Sequence, residues 1–397
     1  MSRSSLAGVA ALALACSTLA GCSGDSARGD PQAAPSGGEQ EQAADVPPLR
    51  VTANLSGTDV AVDQMLKVRA AGGTLRQVAV TSEAGRLAGA LAKDGSSWAA
   101  SGRLEPGQTY AVRAVAERSD GKRVVRRSTF ETDDLTLDEQ TYASVAPLDG
   151  ETVGVGMPVI VTFDVPVTDR ASMERHMSVE STPQQRGSWH WLSDTEAHWR
   201  PKSYWQAGSE VSVDLDINSV AAGGGIYGQE DRAVDFSVGN AHVYKVDMDS
   251  HQMRVFSNGD LLRTIPITTG EEPAFTTRSG VKVIIEKYRE KRMNSETVGI
   301  GRDDPEYYNI NDVEYAMRVT YSGEFVHAAP WSVESQDYAN VSHGCTGMST
   351  ENAAFLYNMT LRGDVVEYTG TDRPMSLTNG YGDWNVDFAT WSEGSAL

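Results

Sequence analysis

Short runs of alternating apolar and polar residues, separated by turn-forming residues, recur along most of this 397-residue chain. In one of them a Pro-Gly turn at residues 106–107 leads into a segment in which Tyr110, Val112 and Ala114 occupy every second position. This period of two places the three side chains on one face of a strand. Repeated strands with turns between them are typical of β-sandwiches, so the sequence predicts a mainly β protein.

The strand pattern changes along the chain and divides it into successive domains. Residues 49–133 and residues 134–240 each predict a β-sandwich of the immunoglobulin-like type, without the disulfide of antibody domains. The pattern changes again near residue 240, and we assign residues 241–370 to a third, β-rich domain. Residues 371–397 form a C-terminal extension whose two tryptophans are expected to pack against a neighbouring domain.

One amphipathic helix is predicted, over residues 350–361 in the third domain. Its apolar positions suggest a buried face made of Ala354, Leu356, Tyr357 and Leu361. In the second domain, residues 221–228 are rich in glycine and are expected to form a long loop.

The first 21 residues have the organisation of an export signal. Arg3 is a short charged region, residues 6–15 are apolar but too few to span a bilayer, and small residues precede Cys22. This order resembles the bacterial lipobox, which implies cleavage just before Cys22 and its lipidation. Residues 22–48 lack large apolar side chains and predict a disordered tether. We therefore expect a lipoprotein anchored to the extracellular face of the cell membrane; the alternative is ordinary secretion with an incidental cysteine.

The charge balance argues against a nucleic-acid partner. Asp and Glu together number 54 against 34 Lys and Arg, which gives a net charge of -20. Binding to a phosphate backbone needs clustered basic residues. One local basic spot, formed by Arg123, Arg126 and Arg127, is expected to be a solvated face, and a contact for anionic wall polymer or lipid is the alternative.

Cysteine usage singles out one thiol. Of the three cysteines, Cys16 leaves with the signal and Cys22 would carry lipid, so Cys345 remains unpaired outside the cell. His327 and His343 lie shortly before it in the sequence. Because the thiolate is the attacking species, a nucleophilic cysteine needs a neighbouring base or cation, and histidine can supply either.

No metal site and no cofactor is predicted. One cysteine and two histidines without nearby carboxylates make an incomplete zinc site. Two other histidines, His190 and His198, sit in alternating aromatic segments and are expected on strand faces.

His327 and the Ser-His-Gly-Cys sequence at residues 342–345 resemble the active site of an L,D-transpeptidase catalytic domain of the YkuD type. With two sandwiches, a lipobox and a tryptophan-containing tail, the chain is similar to the actinobacterial L,D-transpeptidases. The resemblance implies an enzyme that cuts the tetrapeptide stem of peptidoglycan before its terminal D-alanine. It then joins the acyl group to a side-chain amine of another stem, in a 3→3 cross-link. The resemblance also implies that carbapenems acylate the cysteine.

The same resemblance assigns chemical roles. Cys345 would be the nucleophile, and His327 would take the thiol proton and later protonate the leaving amine. The backbone carbonyl of Ala328 would orient His327. Consecutive amides of His343, Gly344 and Cys345 are expected to bind the oxyanion.

Four further residues are expected to contact substrate. Tyr308 matches the family's active-site-loop tyrosine, with Tyr307 as the alternative if the alignment slips by one. Ser322 and Gly323 match the turn before the histidine strand. Gly347 stands where the family has Asn or Arg and can offer only backbone contacts; we expect Gly347→Asn to be tolerated.

Two other functions remain compatible with the sequence. An L,D-carboxypeptidase would use water in place of the acceptor amine. A non-catalytic wall-binding lipoprotein would use its immunoglobulin-like domains, and Gly347 keeps this alternative open. Sortases and NlpC-type peptidases carry their cysteine and histidine in other sequence contexts.

Overall fold

β-Strands build most of the computed structural model, which describes residues 48–397. The mainly β prediction is therefore confirmed. The export signal, the lipidation of Cys22 and nearly all of the tether lie outside the described residues. None of the helices in the described part of the chain combines the length and the apolar character that crossing a membrane requires.

The first sandwich is built from nine strands. They are β1 (Arg50–Ala53), β2 (Gly57–Val60), β3 (Lys67–Ala71), β4 (Thr74–Ser82), β5 (Gly85–Arg86), β6 (Gly89–Leu91), β7 (Ser97–Ala100), β8 (Thr109–Glu117) and β9 (Arg123–Thr132). One sheet has the order β1-β3-β7-β6 and the other the order β2-β9-β8-β4-β5. Tyr110, Val112 and Ala114 of β8 are buried between the sheets, as their spacing predicted.

The second sandwich follows a short 3-10 turn at Leu137–Glu139. Its elements are β10 (Gln140–Thr141), β11 (Ala143–Ala146), β12 (Thr152–Val153), β13 (Val159–Phe163), α1 (Arg170–Glu174), β14 (Met177–Thr182), β15 (Gly187–Trp191), β16 (Glu196–Pro201), β17 (Glu210–Leu215), β18 (Ala221–Gly223), β19 (Ile226–Gly228) and β20 (Arg232–Val238). The sheets are β11-β13-β16-β15, β12-β20-β17-β14 and a small β10-β19-β18. The predicted loop at residues 221–228 is wrong: β18 and β19 form a tight hairpin, because Gly223, Gly224 and Gly225 all have positive φ.

The third region contains two sheets and the longest helix of the described residues. Its elements are β21 (His242–Asp247), β22 (Gln252–Ser257), β23 (Asp260–Pro266), β24 (Gly280–Val283), β25 (Glu286–Asn294), β26 (Asn309–Arg318), β27 (Phe325–Ala328), β28 (Thr346–Met348), α2 (Thr350–Met359), β29 (Val365–Thr369) and α3 (Phe388–Ser392). Short 3-10 turns occupy Ser295–Val298, Pro330–Ser332 and Asp383–Asn385. The sheets have the orders β23-β22-β21-β29-β24 and β25-β26-β27-β28, and residues such as Ile284, Val326 and Val366 form one core.

Helix α2 follows β28 and packs on the sheet of β26 and β27. Ser349 caps it, because its side-chain oxygen accepts a hydrogen bond from the Asn352 N–H. Ala353 and Leu356 are the buried residues, whereas Ala354 is only half-buried. The predicted helical face was therefore partly wrong.

The C-terminal segment lies on the second sandwich. Trp391 is fully buried, and its indole N–H donates to the Ser188 carbonyl at 2.9 Å. The Trp384 indole N–H donates to the Gly156 carbonyl at 2.7 Å. The buried Arg200 guanidinium carbon lies 4.8 Å from the ring centroid of each tryptophan, a cation–π arrangement. Both tryptophans pack against a neighbouring domain, as expected.

The two strand-face histidines of the second sandwich also contact this segment. His190 on β15 stacks on Trp391 with ring centroids 4.5 Å apart. His198 on β16 is buried, with Nδ1 2.7 Å from Asp383 Oδ1 and Nε2 3.0 Å from Glu196 Oε1. Burial lowers the pKa of His198, but the two carboxylates outweigh it and raise that pKa to about 9. His198 is therefore a cation that ties the segment to β16.

The second sandwich and the third region share one hydrophobic core. Val283 of β24 and Val365 of β29 belong to the same buried cluster as the sandwich residues. The Gly154 N–H donates to the Arg362 carbonyl at 2.8 Å. A Cβ at position 154 would lie 2.2 Å from the Asp364 backbone nitrogen, so only glycine permits this approach.

Candidate active site

The histidine of the predicted site lies on β27, and the cysteine immediately precedes the neighbouring parallel strand β28. In the register of β27 and β28, Val326 pairs with Thr346 and His327 pairs with Gly347. Cys345 immediately precedes β28, two residues before Gly347. Since side chains alternate along a strand, Cys345 and His327 point to the same side of the sheet. Both line a cavity of about 360 Å³.

The structure divides the other predicted site residues between two neighbouring cavities. His343, Gly347 and Tyr308 line the cavity of Cys345. Ser322 and Gly323 line a second cavity of about 290 Å³. Tyr308 and Met293 border both cavities.

The thiol of Cys345 is half-buried and contacts backbone groups. Its sulfur donates to the Gly323 carbonyl at 3.7 Å and receives a backbone hydrogen bond from Phe325. Burial, with a smaller contribution from the Glu324 carboxylate, raises the pKa of Cys345 to about 11. The backbone hydrogen bond and the Lys282 ammonium act in the opposite direction but do not compensate. The thiol is therefore protonated at neutral pH.

His327 is a buried, neutral imidazole. Its Nδ1 lies 2.7 Å from the Ala328 carbonyl oxygen, the orientation that the family resemblance implied. This contact places the ring proton on Nδ1 and leaves Nε2 with a lone pair. Burial lowers the pKa of His327 below its usual 6.5. Trp331 stacks alongside, with ring centroids 5.9 Å apart. His327 is therefore poised to accept a proton.

His343 is held at the rim of the cavity. Its Nε2 lies 3.0 Å from Glu306 Oε2, and the rings of Phe275 and Tyr308 contact it at centroid distances of 4.4 Å and 4.9 Å. Its Nε2 is thus engaged by the Glu306 carboxylate. Across residues 48–397, no group of three or more His, Cys, Asp or Glu side chains is arranged to hold a metal ion.

The backbone around Gly344 differs from the expected row of three free amides. The Gly344 N–H donates to Ser342 Oγ at 3.1 Å, and its carbonyl accepts from Thr277 Oγ1 at 2.9 Å. Its φ of +116° requires glycine. Within the described residues, the N–H groups of His343 and Cys345 have no hydrogen-bond partner. The expectation for the Gly344 amide was wrong: Gly344 shapes the loop, and the two flanking amides remain available to an oxyanion.

The loop residues are fixed by contacts with other segments. Tyr308 exchanges hydrogen bonds with Ser295: its N–H donates to Ser295 Oγ at 3.1 Å and its carbonyl accepts from the Ser295 N–H at 3.0 Å. Burial raises the pKa of Tyr308 to about 12. Tyr307 is not among the residues that line either cavity. The hydroxyl of Ser322 accepts from Asn379 Nδ2 at 2.9 Å, which ties this turn to the C-terminal extension.

Gly347 is closely surrounded. Its N–H and carbonyl each bond Thr268 at 2.9 Å. A Cβ at this position would lie 2.8 Å from Ala329 Cβ and 3.2 Å from Thr268 Cγ2. Because the Cβ of Ala329 is fixed to the backbone, any side chain at position 347 requires a shift of the strand pair. Tolerance of Gly347→Asn therefore does not follow from the geometry.

Several residues around the site were missed from the sequence. Lys282 is fully buried behind the cysteine, and a lysine within the otherwise apolar residues 281–285 was a usable signal. Its partner Glu324, just before the histidine strand, could have been suggested by the same reasoning. Glu306 contacts His343 across 37 residues of sequence, and no local pattern marks it.

Comparisons with known proteins agree with this geometry. Residues 241–367 match the L,D-transpeptidase catalytic domain (YkuD) family, and residues 57–221 match the bacterial Ig domain family. L,D-transpeptidase 2 of Mycobacterium tuberculosis is 33% identical over 353 residues, which cover 88% of this chain and 85% of the relative. L,D-transpeptidase 5 of the same organism is 34% identical over 350 residues, which cover 86% of this chain and 75% of the relative.

A solved structure gives the same result for part of the chain. The L,D-transpeptidase LdtMt1 in complex with imipenem is 37% identical, covers 57% of this chain and 98% of its own, and superposes with a TM-score of 0.51. The chain belongs to the L,D-transpeptidase family of acyltransferases.

Proposed function

We propose that this protein forms 3→3 cross-links in peptidoglycan through an acyl-enzyme on Cys345. The donor is a tetrapeptide stem, which loses its terminal D-alanine. One observation carries the proposal: the cavity that contains the thiol also contains a buried neutral imidazole, His327, whose Nε2 is free to take the proton.

In the first half-reaction, Cys345 Sγ attacks the carbonyl carbon of the bond that precedes the terminal D-alanine. The thiol proton passes to Nε2 of His327, and the carbonyl oxygen becomes an oxyanion facing the amides of His343 and Cys345. The carbon–nitrogen bond then breaks. His327 returns the proton to the leaving D-alanine amine, and the stem remains on the enzyme as a thioester.

In the second half-reaction, a side-chain amine of another stem attacks the thioester. His327 accepts a proton from that amine, the carbon–sulfur bond breaks and the proton returns to the Cys345 sulfur. An amide cross-link forms and the free thiol is restored. Water in place of the amine would give a carboxypeptidase from the same thioester.

The protonation states favour proton transfer during attack over a resting ion pair. The pKa of the thiol is raised to about 11, and that of the imidazole is lowered. A thiolate–imidazolium pair is therefore unfavourable in the empty cavity. During the attack, negative charge develops on the carbonyl oxygen of the substrate, where the amides of the loop can stabilise it.

The same nucleophile is proposed to react with carbapenems. The supporting observation is the relative of 37% identity that was solved in complex with imipenem. We expect imipenem to add to Cys345, with an intact mass increase that is absent in Cys345→Ala.

We further propose that Cys22 carries lipid and anchors the protein at the extracellular face of the cell membrane. The lipobox-like sequence before Cys22 supports this proposal. Mass analysis of the mature N-terminus tests it: a diacylglyceryl group on Cys22 is expected, and an unmodified secreted chain would overturn it.

The decisive experiment incubates the full chain with disaccharide-tetrapeptide and identifies the products by mass spectrometry. Cross-linked dimers that lack one D-alanine are expected from the wild type and from Cys22→Ala, the matched cysteine control. Cys345→Ala should give no product while keeping the wild-type melting temperature.

Each other outcome has a distinct meaning. Monomeric tripeptide alone would identify a carboxypeptidase. Equal product from the wild type and from Cys345→Ala would refute the assignment of the nucleophile. No product from any variant would favour a non-catalytic wall-binding role.

A further inference from the structure

A fully buried lysine lies behind the nucleophile and has no part in the mechanism above. Lys282 of β24 has no exposed surface. Its Nζ is 2.5 Å from Glu324 Oε2 and 3.7 Å from the ring centroid of Tyr368. Burying an ammonium group is costly unless a carboxylate and further polar contacts compensate it. A purely structural position could be filled by an apolar side chain, so this pair calls for another explanation.

Glu324 is fixed from two sides. Its other carboxylate oxygen accepts from the Arg278 guanidinium at 2.8 Å and from the Arg278 N–H at 3.3 Å. The side chain is only 8% exposed. The Glu324 N–H also donates to Thr320 Oγ1 at 2.9 Å, and its carbonyl accepts from the Val319 N–H at 3.0 Å. The ion pairs of the side chain and these backbone bonds therefore hold residue 324 together.

That backbone is the segment that contacts the thiol. The carbonyl of Gly323 accepts from Cys345 Sγ, and the backbone of Phe325 donates to the same sulfur. Glu324 is the residue between them. On the far side of Lys282, the Tyr368 hydroxyl lies 2.8 Å from Thr346 Oγ1, next to Cys345. The buried pair is thus linked to residues 323–325 and, through Tyr368, to Thr346 beside the nucleophile.

We propose that the buried pair of Lys282 and Glu324 is a positioning element for the nucleophile, which holds residues 323–325 against Cys345 and sets the electrostatic field at its sulfur with two opposing charges. The inference rests on the proposed function, since it takes Cys345 as the nucleophile. It adds two residues that touch no substrate and act only through the thiol.

The two charges must have opposite effects on the thiol. The ammonium of Lys282 favours the thiolate, whereas the carboxylate of Glu324 disfavours it. Besides Tyr368, which contacts Lys282, other charged or titratable groups lie around the pair and the cavity. These groups are Arg278, Arg318, Tyr308, His327 and His343 with its partner Glu306.

The test measures alkylation of Cys345 by iodoacetamide from pH 6 to pH 10, in the full chain. Peptide mass spectrometry resolves Cys345 from the other cysteines. Because the thiolate is the reacting form, Lys282→Met should react about tenfold more slowly than wild type at pH 7. Glu324→Gln should react about tenfold faster. The double variant should lie between the two.

Lys245→Met is the matched control, because Lys245 pairs with Glu367 at 3.4 Å on the exposed side of the same sheet. It should leave the rate unchanged. If Lys282→Met does not fold, the double variant is compared with Glu324→Gln, and the double variant must react more slowly. Replacing both members of a buried pair is better tolerated than replacing one.

If the pair had a purely structural role, both single variants would change the alkylation rate in the same direction, since each would loosen the same segment. Equal directions, or unchanged rates in folded variants, would overturn the proposal. Alkylation reports on the thiol and requires no product. Failure of this test is therefore distinguishable from failure of the transpeptidase assay.

Discussion

Thr277→Val should destabilise both the fold and the loop that contains Cys345. The buried hydroxyl of Thr277 accepts from the Gly270 N–H at 2.8 Å and donates to the Gly344 carbonyl at 2.9 Å. Valine has nearly the same shape but makes neither bond. Two buried backbone groups would lose their partner, each at a cost of about 1–2 kcal/mol. We expect the free energy of unfolding to fall by about 3 kcal/mol.

The expected effect on catalysis follows from the position of Gly344, one residue before Cys345, the proposed nucleophile. Release of its carbonyl lets the peptide between Gly344 and Cys345 turn, so the sulfur and its amide lose their alignment. We expect kcat to fall about tenfold with a smaller change in KM, because misplacement affects the reacting geometry more than binding. Urea unfolding and the cross-linking assay measure the two effects.

Two matched variants control this experiment. Thr276→Val removes a single exposed hydrogen bond of 3.3 Å to the Pro273 carbonyl and should cost less than about 0.5 kcal/mol. Thr277→Ser keeps the hydroxyl and should retain most of the activity. The reasoning is refuted if the free energy of unfolding of Thr277→Val lies within about 0.5 kcal/mol of the wild-type value and the variant keeps full activity.

Three further perturbations test the titrating groups and the close packing of the site. In the folded chain the pKa of His198 is raised to about 9 from 6.5, so its stabilisation is complete below pH 6.5 and is lost as the pH rises through 9. The free energy of unfolding, measured with urea, should fall by about 3 kcal/mol across this pH range, and His198→Gln should remove the fall. An equal pH dependence in the wild type and the variant would contradict the ion pair. Because the pKa of His327 is lowered, the acid limb of kcat/KM should have its midpoint below pH 6.5, and a midpoint above 6.5 would exclude a neutral buried base. Gly347→Ala should destabilise the chain by about 1 kcal/mol through its contact with Ala329, and Ala329→Gly in the same chain should remove that contact; an unchanged melting temperature in Gly347→Ala would show that the strands separate freely.

The sequence predicted those features whose cause is local. The alternation of Tyr110, Val112 and Ala114 follows from the pleat of one strand, so it could be recognised without knowledge of the partners. His327 and Cys345 could be identified because the strand containing the first and the loop containing the second are close in sequence. The helix after Cys345 was predicted within two residues at its C-terminal end, where Met359 ends it.

Features that depend on distant segments were not predictable in this way. Glu306, whose carboxylate contacts His343, lies 37 residues away in the sequence. Thr277, whose hydroxyl donates to the Gly344 carbonyl, lies 67 residues away. The role of the Gly344 amide was misjudged because its N–H donates a hydrogen bond to the nearby Ser342 hydroxyl. Residues 221–228 were mistaken for a loop since three consecutive glycines also suit the tight turn of a hairpin.

The shared core between the second sandwich and the third region has a consequence for how such a protein can be divided. A fragment that starts at residue 241 would leave Val283 and Val365 facing water and would strip Trp384 and Trp391 of their partners. A module that replaces the second sandwich would have to supply a glycine at the contact now made by Gly154, because a Cβ there would lie 2.2 Å from the Asp364 backbone nitrogen. Gene recombination should therefore transfer these two regions together. Recombinants that fold should have their break points in the chain before the second sandwich.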